Sequence, residues 1–177
     1  LKILKAKKNL GLKTLFDICE IQSQPNVYHI GYLLGPRINA GGRVGKSSHG
    51  ANLLINNNPK DVFKIASELD QFNKERQYLE KDVLDKILKR TEVNSADPAI
   101  IISGNNLHEG VIGIVASRIK DKLNKPVIII SIDRNIGKAS ARSIIGFDIG
   151  SAIIAATQKK ILIKGGGHKM AGGFSIK

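Results

Sequence analysis

The chain is poor in residues that form cross-links, zinc clusters or membrane spans. Cys19 is the only cysteine among 177 residues, so no disulfide can form within the chain and no cysteine cluster can hold zinc. Its apolar surroundings predict a buried small hydrophobic side chain rather than a nucleophile. No apolar run has transmembrane length, and the first residues contain neither an initiator Met nor a secretory hydrophobic region. We expect a cytoplasmic protein without a membrane partner, whose first residues read like the middle of a longer chain.

Clustered metal ligands are also missing from the sequence. It contains no Asp-x-Asp and no Asp-His-His, and none of His29, His49, His108 and His168 lies beside paired carboxylates. Hydrolysis of a phosphodiester by two metal ions needs such clusters. The residues alone therefore predict phosphate binding without an evident means of cleavage.

Acidic residues are few compared with basic ones. The 28 Lys and Arg outnumber 15 Asp and Glu, which gives a net charge of +13. Residues 1–60 carry nine basic and two acidic side chains, residues 61–97 seven and nine, and residues 98–177 twelve and four. Such an excess favours polyanionic partners, although lysine-rich surfaces also serve solubility alone. Two basic ends thus flank a mixed-charge spacer, in a chain long enough for one large or two small domains.

Hydrophobic periodicity predicts short helices, then one long helix, then alternating strands and helices. The long helix is expected from about Pro59 to Thr91, with Asn58 as its N-cap. Other helices are predicted over residues 12–21, 47–57, 110–123 and 148–160. Strands are predicted over residues 99–102, 126–132, 138–144 and 173–176. This alternation indicates an α/β fold with an at least partly parallel sheet.

Two segments combine arginine with glycine or hydroxyl groups, a pattern typical of phosphate binding. Gly35–Gly45 places Arg37 and Arg43 six residues apart in what reads as a glycine-rich, proline-marked loop. On the strand predicted over residues 138–144, alternation puts Ser140 and Arg142 on one face, where both can clamp a phosphate. The competing interpretations are turn geometry for the loop and a solvated edge face for the strand.

Three further features have both a functional and a structural interpretation. Gly165, Gly166 and Gly167 can form an anion-binding nest of backbone N–H groups, with His168 at its lip, or a flexible linker. His108 precedes a predicted helix, where it can donate to an anion, act as an acid, or cap the helix. Arg76 interrupts the apolar stripe of the long helix, a position that usually holds a snorkelling or salt-bridged side chain.

Taken in order, five segments resemble the RecJ family of single-strand-specific exonucleases within the DHH phosphoesterases. They are Gly35–Gly45 (similar to GPRINAAGRLG), residues 73–77 (NxxRQ), residues 108–118 (HxGVIGIVASR), residues 140–143 (a GSxRS-type strand) and residues 166–173 (GGHxxAAG of the DHH-associated domain). The chain departs from the family pattern at Leu107, where Trp is frequent, at Gly41 and Gly172, where Ala is usual, and at Ile145, where Pro is common.

The resemblance implies a domain organisation and an activity. Residues 1–57 would be the helical tail of a catalytic DHH domain, residues 58–97 a connector helix, and residues 98–177 a small mixed-sheet α/β DHH-associated domain that binds substrate. Such enzymes remove nucleotides from the 5′ end of single-stranded DNA in repair and recombination, using Mn²⁺ or Mg²⁺. Their Asp-rich metal motifs lie upstream of the matched part, so the metal would be bound by the missing half and not by this chain. The chain alone would then be inactive, with single-stranded DNA and a separately encoded DHH half as candidate partners.

The resemblance also implies roles for individual residues. Ser140 and Arg142 would bind the 5′-phosphate, with Arg37 or Arg43 assisting. A catalytic His168 and glycines 165–167 would line the cleft beside the scissile phosphate, and Arg76 and His108 complete the DNA-binding set. Two other interpretations stay open: a non-enzymatic nucleic-acid-binding module, and another DHH-superfamily phosphoesterase that acts on short oligonucleotides.

Overall fold

A computed structural model describes residues 8–90 and 97–177, without the side chains of residues 88–90. The chain divides into two compact units, one ending at Tyr78 and the other beginning at Leu79, and each is described by itself. The division falls within the long helix, which the structure places at Pro59–Arg90. The helix end predicted at Thr91 lies outside the described residues, and the division into 1–57, 58–97 and 98–177 stays a prediction.

The first unit is helical. Its elements are α1 (Leu10–Ile18), a π-helical segment (His29–Leu34), α2 (Gly35–Val44), α3 (His49–Ile55) and the start of α4 (Pro59–Arg90). The predicted N-cap of α4 is confirmed, because the Lys60 N–H donates to Asn58 Oδ1 at 3.0 Å. Ile38 of α2 packs against one core that is formed by apolar side chains of the other elements: Leu15, Phe16, Leu34, Leu53, Val62, Ala66 and Leu69.

The prediction of a glycine-rich loop at Gly35–Gly45 is wrong. The segment is helix α2, which continues from the π-helical segment without a break. Pro36 lies in the first turn of α2, next to the junction with the π-helical segment. The glycines serve close packing instead of loop geometry: a Cβ on Gly41 would lie 2.9 Å from the Lys46 carbonyl oxygen, and one on Gly45 would overlap the Phe72 ring. Close packing and a turn demand the same residue type, so the sequence pattern could not separate them.

The second unit is a five-stranded mixed sheet with helices on both faces. Its elements are β1 (Ile100–Asn105), α5 (Glu109–Leu123), β2 (Val127–Asp133), β3 (Ile136–Arg142), α6 (Ile149–Gln158), β4 (Lys164–His168) and β5 (Ala171–Ile176). The strand order is β1-β2-β3-β5-β4, parallel for β1 and β2 and antiparallel elsewhere. This arrangement confirms the predicted α/β fold with a small mixed sheet.

Each face of the sheet has its own helix and its own core. Helix α5 packs through Val111, Val115 and Ile119 against the β1–β2 face, together with Val83 and Ile87 of α4. Helix α6 packs on the other face, where Ile149 and Ile153 join Ala141 of β3 and Leu162. Because α5 lies over β2 and β3, it leaves room on its own face above β5 and β4.

The predicted anion-binding nest at Gly165–Gly167 is also wrong. These glycines belong to β4, an edge strand that pairs antiparallel with β5. Successive N–H groups of an extended strand point to opposite sides, whereas a nest needs them to converge. Glycine is disfavoured in strands, but packing overrides that preference here: a Cβ on Gly165 would lie 2.7 Å from Ile153 Cγ2 of α6. Gly165 therefore lets α6 approach the sheet.

Candidate nucleic-acid interface

A groove of about 560 Å³ lies on the α5 face of the sheet, above β3, β5 and β4. Cross-strand partners arrange the residues of this face in three rows, because side chains on one face recur every second residue. The rows are Arg142–Ala171–His168, Ser140–Gly173–Gly166 and Lys138–Ser175–Lys164. The second and third rows line the groove, and the first row continues the same face of the sheet beside it. Cationic side chains thus stand on both sides of the glycine row.

The middle row leaves the floor of the groove without side chains on two of its three strands. A Cβ added to Gly166 would meet nothing within 4 Å, and one added to Gly173 would meet only the Ala139 carbonyl oxygen at 3.2 Å. Packing therefore does not require glycine at position 166, whereas a Cβ at position 173 would be tight against a backbone oxygen. Both glycines expose flat backbone on which a ligand can lie closely.

The Arg142 guanidinium is held in place by its neighbours. Nε donates to Ser117 Oγ of α5 at 3.1 Å, and Nη1 donates to Ser140 Oγ at 3.1 Å and to the Ala141 carbonyl at 2.8 Å. The contact with Ser140 confirms that the two residues share a face of the strand. A guanidinium held in this way is pre-oriented for a bidentate contact with an anion.

Gly113 of α5 makes room for this arginine. A Cβ at Gly113 would lie 2.7 Å from Arg142 Nη2 and 2.8 Å from Ser140 Oγ. Gly113 and Ser117 are one helical turn apart, so both face the sheet. Neither Gly113 nor Ser117 is among the site residues predicted from the sequence. Their spacing of four on a predicted helix was the signal available.

The opposite end of the groove holds an ion pair. Lys138 Nζ lies 2.8 Å from Glu109 Oε1, and this hydrogen bond and charge raise the pKa of the lysine. Glu109 stands in the first turn of α5, where the helix dipole favours a carboxylate. Lys164, across β5 from Lys138, is exposed. The sequence analysis assigned no site role to Lys164 or Glu109.

The two histidines have different local roles. His108 is the N-cap of α5, with Nδ1 accepting from the Gly110 N–H at 3.2 Å, which agrees with its structural interpretation. His168 is exposed at the end of β4, and its Nδ1 accepts from the Met170 N–H at 3.4 Å. Its backbone packs against Gly150 of α6, where a Cβ would lie 2.9 Å from three backbone atoms of His168. The imidazole of His168 therefore projects from a well-anchored backbone.

The structure groups some of the predicted site residues and separates others. Ser140, Arg142, Gly166 and His168 occupy adjacent positions of the groove rows in the second unit. Gly165 and Gly167 alternate to the other face of the sheet, towards α6. Arg37, Arg43 and Arg76 belong to the first unit.

The arginines of the first unit have local partners. Arg37 Nε lies 2.8 Å from Asp70 Oδ1, and Lys74 lies 2.8 Å from the other oxygen of Asp70. Burial alone would raise the pKa of Asp70, but hydrogen bonds from Lys74 and Arg37 outweigh it and hold that pKa below its ordinary value. Arg76 donates through Nη2 to Asn73 Oδ1 at 3.1 Å. Arg43 is exposed in the last turn of α2.

The part of the chain that the structure describes contains no cluster of candidate metal ligands. No three His, Cys, Asp or Glu side chains come together there in a way that could hold a metal ion. Cys19 is half-buried beside the core of the first unit, and burial raises the pKa of its thiol. Within residues 8–90 and 97–177, no helix combines the length and apolar character needed to cross a membrane.

Comparison with known proteins identifies the family. Residues 78–177 match the family model described as the DHHA1 domain, so the chain belongs to the DHHA1 domain family. Over its whole length it is 34% identical to the single-stranded-DNA-specific exonuclease RecJ of Bacillus subtilis, of which it covers 23%. It is 36% identical, over 84% of its length, to the same-named protein of Haemophilus influenzae, of which it covers 27%.

Solved structures give the same result. The crystal structure of RecJ in complex with Mg²⁺ from Thermus thermophilus matches 98% of the chain with a TM-score of 0.86 and 30% identity, and the match covers 27% of that RecJ chain. The chain thus spans about a quarter of the length of the relatives it matches. It corresponds to the part of RecJ-family proteins that contains the DHHA1 domain, as the five sequence segments indicated.

Proposed function

We propose that this chain is the substrate-binding part of a single-stranded-DNA-specific exonuclease that works from the 5′ end. In this proposal Arg142 and Ser140 contact the terminal 5′-phosphate. The observation that carries it is the oriented Arg142 guanidinium, which donates to the hydroxyl of Ser140, a residue that lines a glycine-floored groove. Guanidinium and hydroxyl donors side by side suit the oxygens of a phosphate, and the relatives named as single-stranded-DNA-specific exonucleases support DNA as the ligand.

The proposal gives His168 the catalytic position. His168 shares a row with Arg142, two strands away, so its imidazole can donate a hydrogen bond to the phosphodiester that follows the terminal nucleotide. The strand would lie over the bare backbone of Gly166, with Gly165 and Gly167 supporting β4. His108, whose Nδ1 caps α5, would contact DNA through Nε2, while Arg76 and either Arg37 or Arg43 would bind phosphates on the first unit.

Divalent metal ions enter the proposal through the relatives alone. Solved RecJ structures from Thermus thermophilus contain Mg²⁺ or Mn²⁺, and such ions supply Lewis-acid activation of water and phosphate. We propose that residues outside this chain hold them, in a separately encoded or adjoining DHH half, and that the chain alone binds DNA without cutting it. Digestion of single-stranded DNA by the purified chain with Mn²⁺ would contradict this. A cytoplasmic location belongs to the same proposal.

Fluorescence anisotropy tests the phosphate role. Labelled single-stranded oligonucleotides with a 5′-phosphate or a 5′-hydroxyl are titrated across a salt series with wild type, Arg142→Gln and Arg134→Gln. Arg134 is an exposed arginine in the turn between β2 and β3, so its variant controls for lost charge. We expect a preference for the phosphorylated end that disappears only in Arg142→Gln. Equal and steeply salt-dependent binding of both ends by wild type would contradict the proposal.

A further inference from the structure

The end of the groove opposite Arg142 carries a second cationic row. Lys138 of β3 and Lys164 of β4 flank Ser175 of β5 in direct cross-strand register, and all three residues line the groove. Neighbouring strands lie about 4.8 Å apart, so the two lysine backbones are roughly 10 Å apart across β5. Side chains as long as lysine can converge over that distance on one anion above Ser175.

The two cationic ends are too far apart to serve the same phosphate. Lys138 and Arg142 are four positions apart on β3. At about 3.3 Å per residue, this spacing corresponds to roughly 13 Å. The row between them contributes Ser140 and the bare backbone of Gly173 and Gly166. A ligand that reaches both cationic rows therefore needs two anionic groups about that far apart, which the phosphates of a short oligonucleotide supply.

We propose that Lys138 and Lys164 form a second phosphate subsite, which binds an internal phosphodiester of the strand whose 5′-phosphate lies at Arg142. This inference rests on the proposed function and extends it from one terminal phosphate to the path of the strand. It distinguishes an oligonucleotide from a mononucleotide, because only the former reaches both ends.

Glu109 places a negative charge beside this subsite, which predicts how its removal changes binding. Among the described residues that line the groove, it is the only acidic one, and it lies 2.8 Å and 3.0 Å from Lys138 Nζ through its two carboxylate oxygens. Both side chains are about half exposed, and an exposed ion pair of this kind is weak. An incoming phosphate therefore displaces the carboxylate at little cost, and removal of the carboxylate charge should tighten binding.

The test compares a mononucleotide with a trinucleotide. Thymidine 5′-monophosphate and 5′-phosphorylated trithymidylate are titrated into ¹⁵N-labelled chain, and dissociation constants come from the amide shifts of Gly166 and Gly173. Lys138→Gln and Lys164→Gln should each weaken the trinucleotide about two- to fivefold, as expected for exposed charges, and leave the monophosphate unchanged. Glu109→Gln should tighten the trinucleotide. Lys159→Gln, at an exposed lysine that caps the end of α6, is the matched control.

The outcomes separate this subsite from the proposed function. Lysine variants that bind the trinucleotide as Lys159→Gln does, or that weaken both probes equally, would overturn the subsite. A monophosphate affinity unchanged in Arg142→Gln would instead overturn the terminal-phosphate role. With a longer single strand, each lysine variant should also lower the slope of log affinity against log salt by about 0.7, and an unchanged slope would count against the subsite.

Discussion

Replacing Gly113 by alanine should separate the stability of α5 from the phosphate site beside it. The added Cβ would lie 2.7 Å from Arg142 Nη2 and 2.8 Å from Ser140 Oγ. Both atoms end mobile side chains, so they can move aside while the helix backbone keeps its place. Arg142 then cannot retain its present hydrogen bonds to both Ser117 and Ser140.

The two expected effects have opposite signs. Alanine is favoured over glycine within a helix by about 0.8–1.0 kcal/mol, so the free energy of unfolding should stay unchanged or rise. A hydrogen bond to a charged group contributes about 1.5–3 kcal/mol, and each 1.4 kcal/mol is about tenfold in affinity. If the displaced guanidinium loses one such bond to the phosphate, the preference for 5′-phosphorylated over 5′-hydroxyl DNA should fall by about tenfold or more.

The assay pairs anisotropy titrations of the two oligonucleotides with urea unfolding. Gly42→Ala is the control, because a Cβ at this exposed position of α2 meets nothing within 4 Å and should change only stability. Ser117→Ala should also lower the phosphate preference, and Ser117→Thr, which keeps the hydroxyl, should restore most of it. A Gly113→Ala variant that folds and keeps the wild-type preference would refute the reasoning.

Three further predictions concern packing, pH and capping. Gly166→Ala adds a methyl group to open space in the groove and should weaken DNA binding without loss of stability. Gly165→Ala should cost about 1–3 kcal/mol in urea unfolding, because its Cβ meets Ile153. The reverse ranking of the two variants in stability would contradict the assignment of faces. The lowered pKa of Asp70 means that its ion pairs contribute fully above the ordinary carboxyl range and are lost as pH falls through that pKa. Asp70→Asn should thus flatten the loss of stability below about pH 4, and urea unfolding between pH 7 and 2 that shows an unaltered acid limb would argue against this. Asp148→Ala removes the cap bond that Ser151 N–H donates at 3.0 Å and should cost about 1 kcal/mol in thermal unfolding, more than Asp148→Asn; equal losses would count against a capping role.

Local sequence patterns predicted the structure correctly where a single neighbouring element determines it. The β-branched run over residues 126–132 became a central strand, and alternation along β3 placed Ser140 beside Arg142. Asn58 is followed by the helix that its capping side chain predicts. In each case the structural information is local: it lies in a repeat of two or of 3.6 residues, or in one hydrogen bond to a nearby N–H.

Glycine-rich segments were the main source of error. Gly41 and Gly45 were assigned to a loop and Gly165–Gly167 to a nest, but they lie in a helix or at its end and in a strand. Glycine is required in a turn, but also wherever a second backbone or ring comes too close for a Cβ. Only the partner distinguishes these cases, and the partners here are Phe72 and Ile153, which lie 27 and 12 residues away along the chain.

The sequence by itself determined the helices and four of the five strands of the second unit, the basic character of its surface and the membership of its motifs in a family, because these depend on local periodicity, charge and residue order. The tertiary structure decided which of those residues meet. Antiparallel register across β3, β5 and β4 placed Lys138 opposite Ser175 and Lys164, and placed Arg142 in line with His168. Packing of α5 on the sheet brought Ser117 and Gly113 to Arg142. Register and helix placement follow from burial of apolar side chains that are far apart along the chain, so no local pattern contains them.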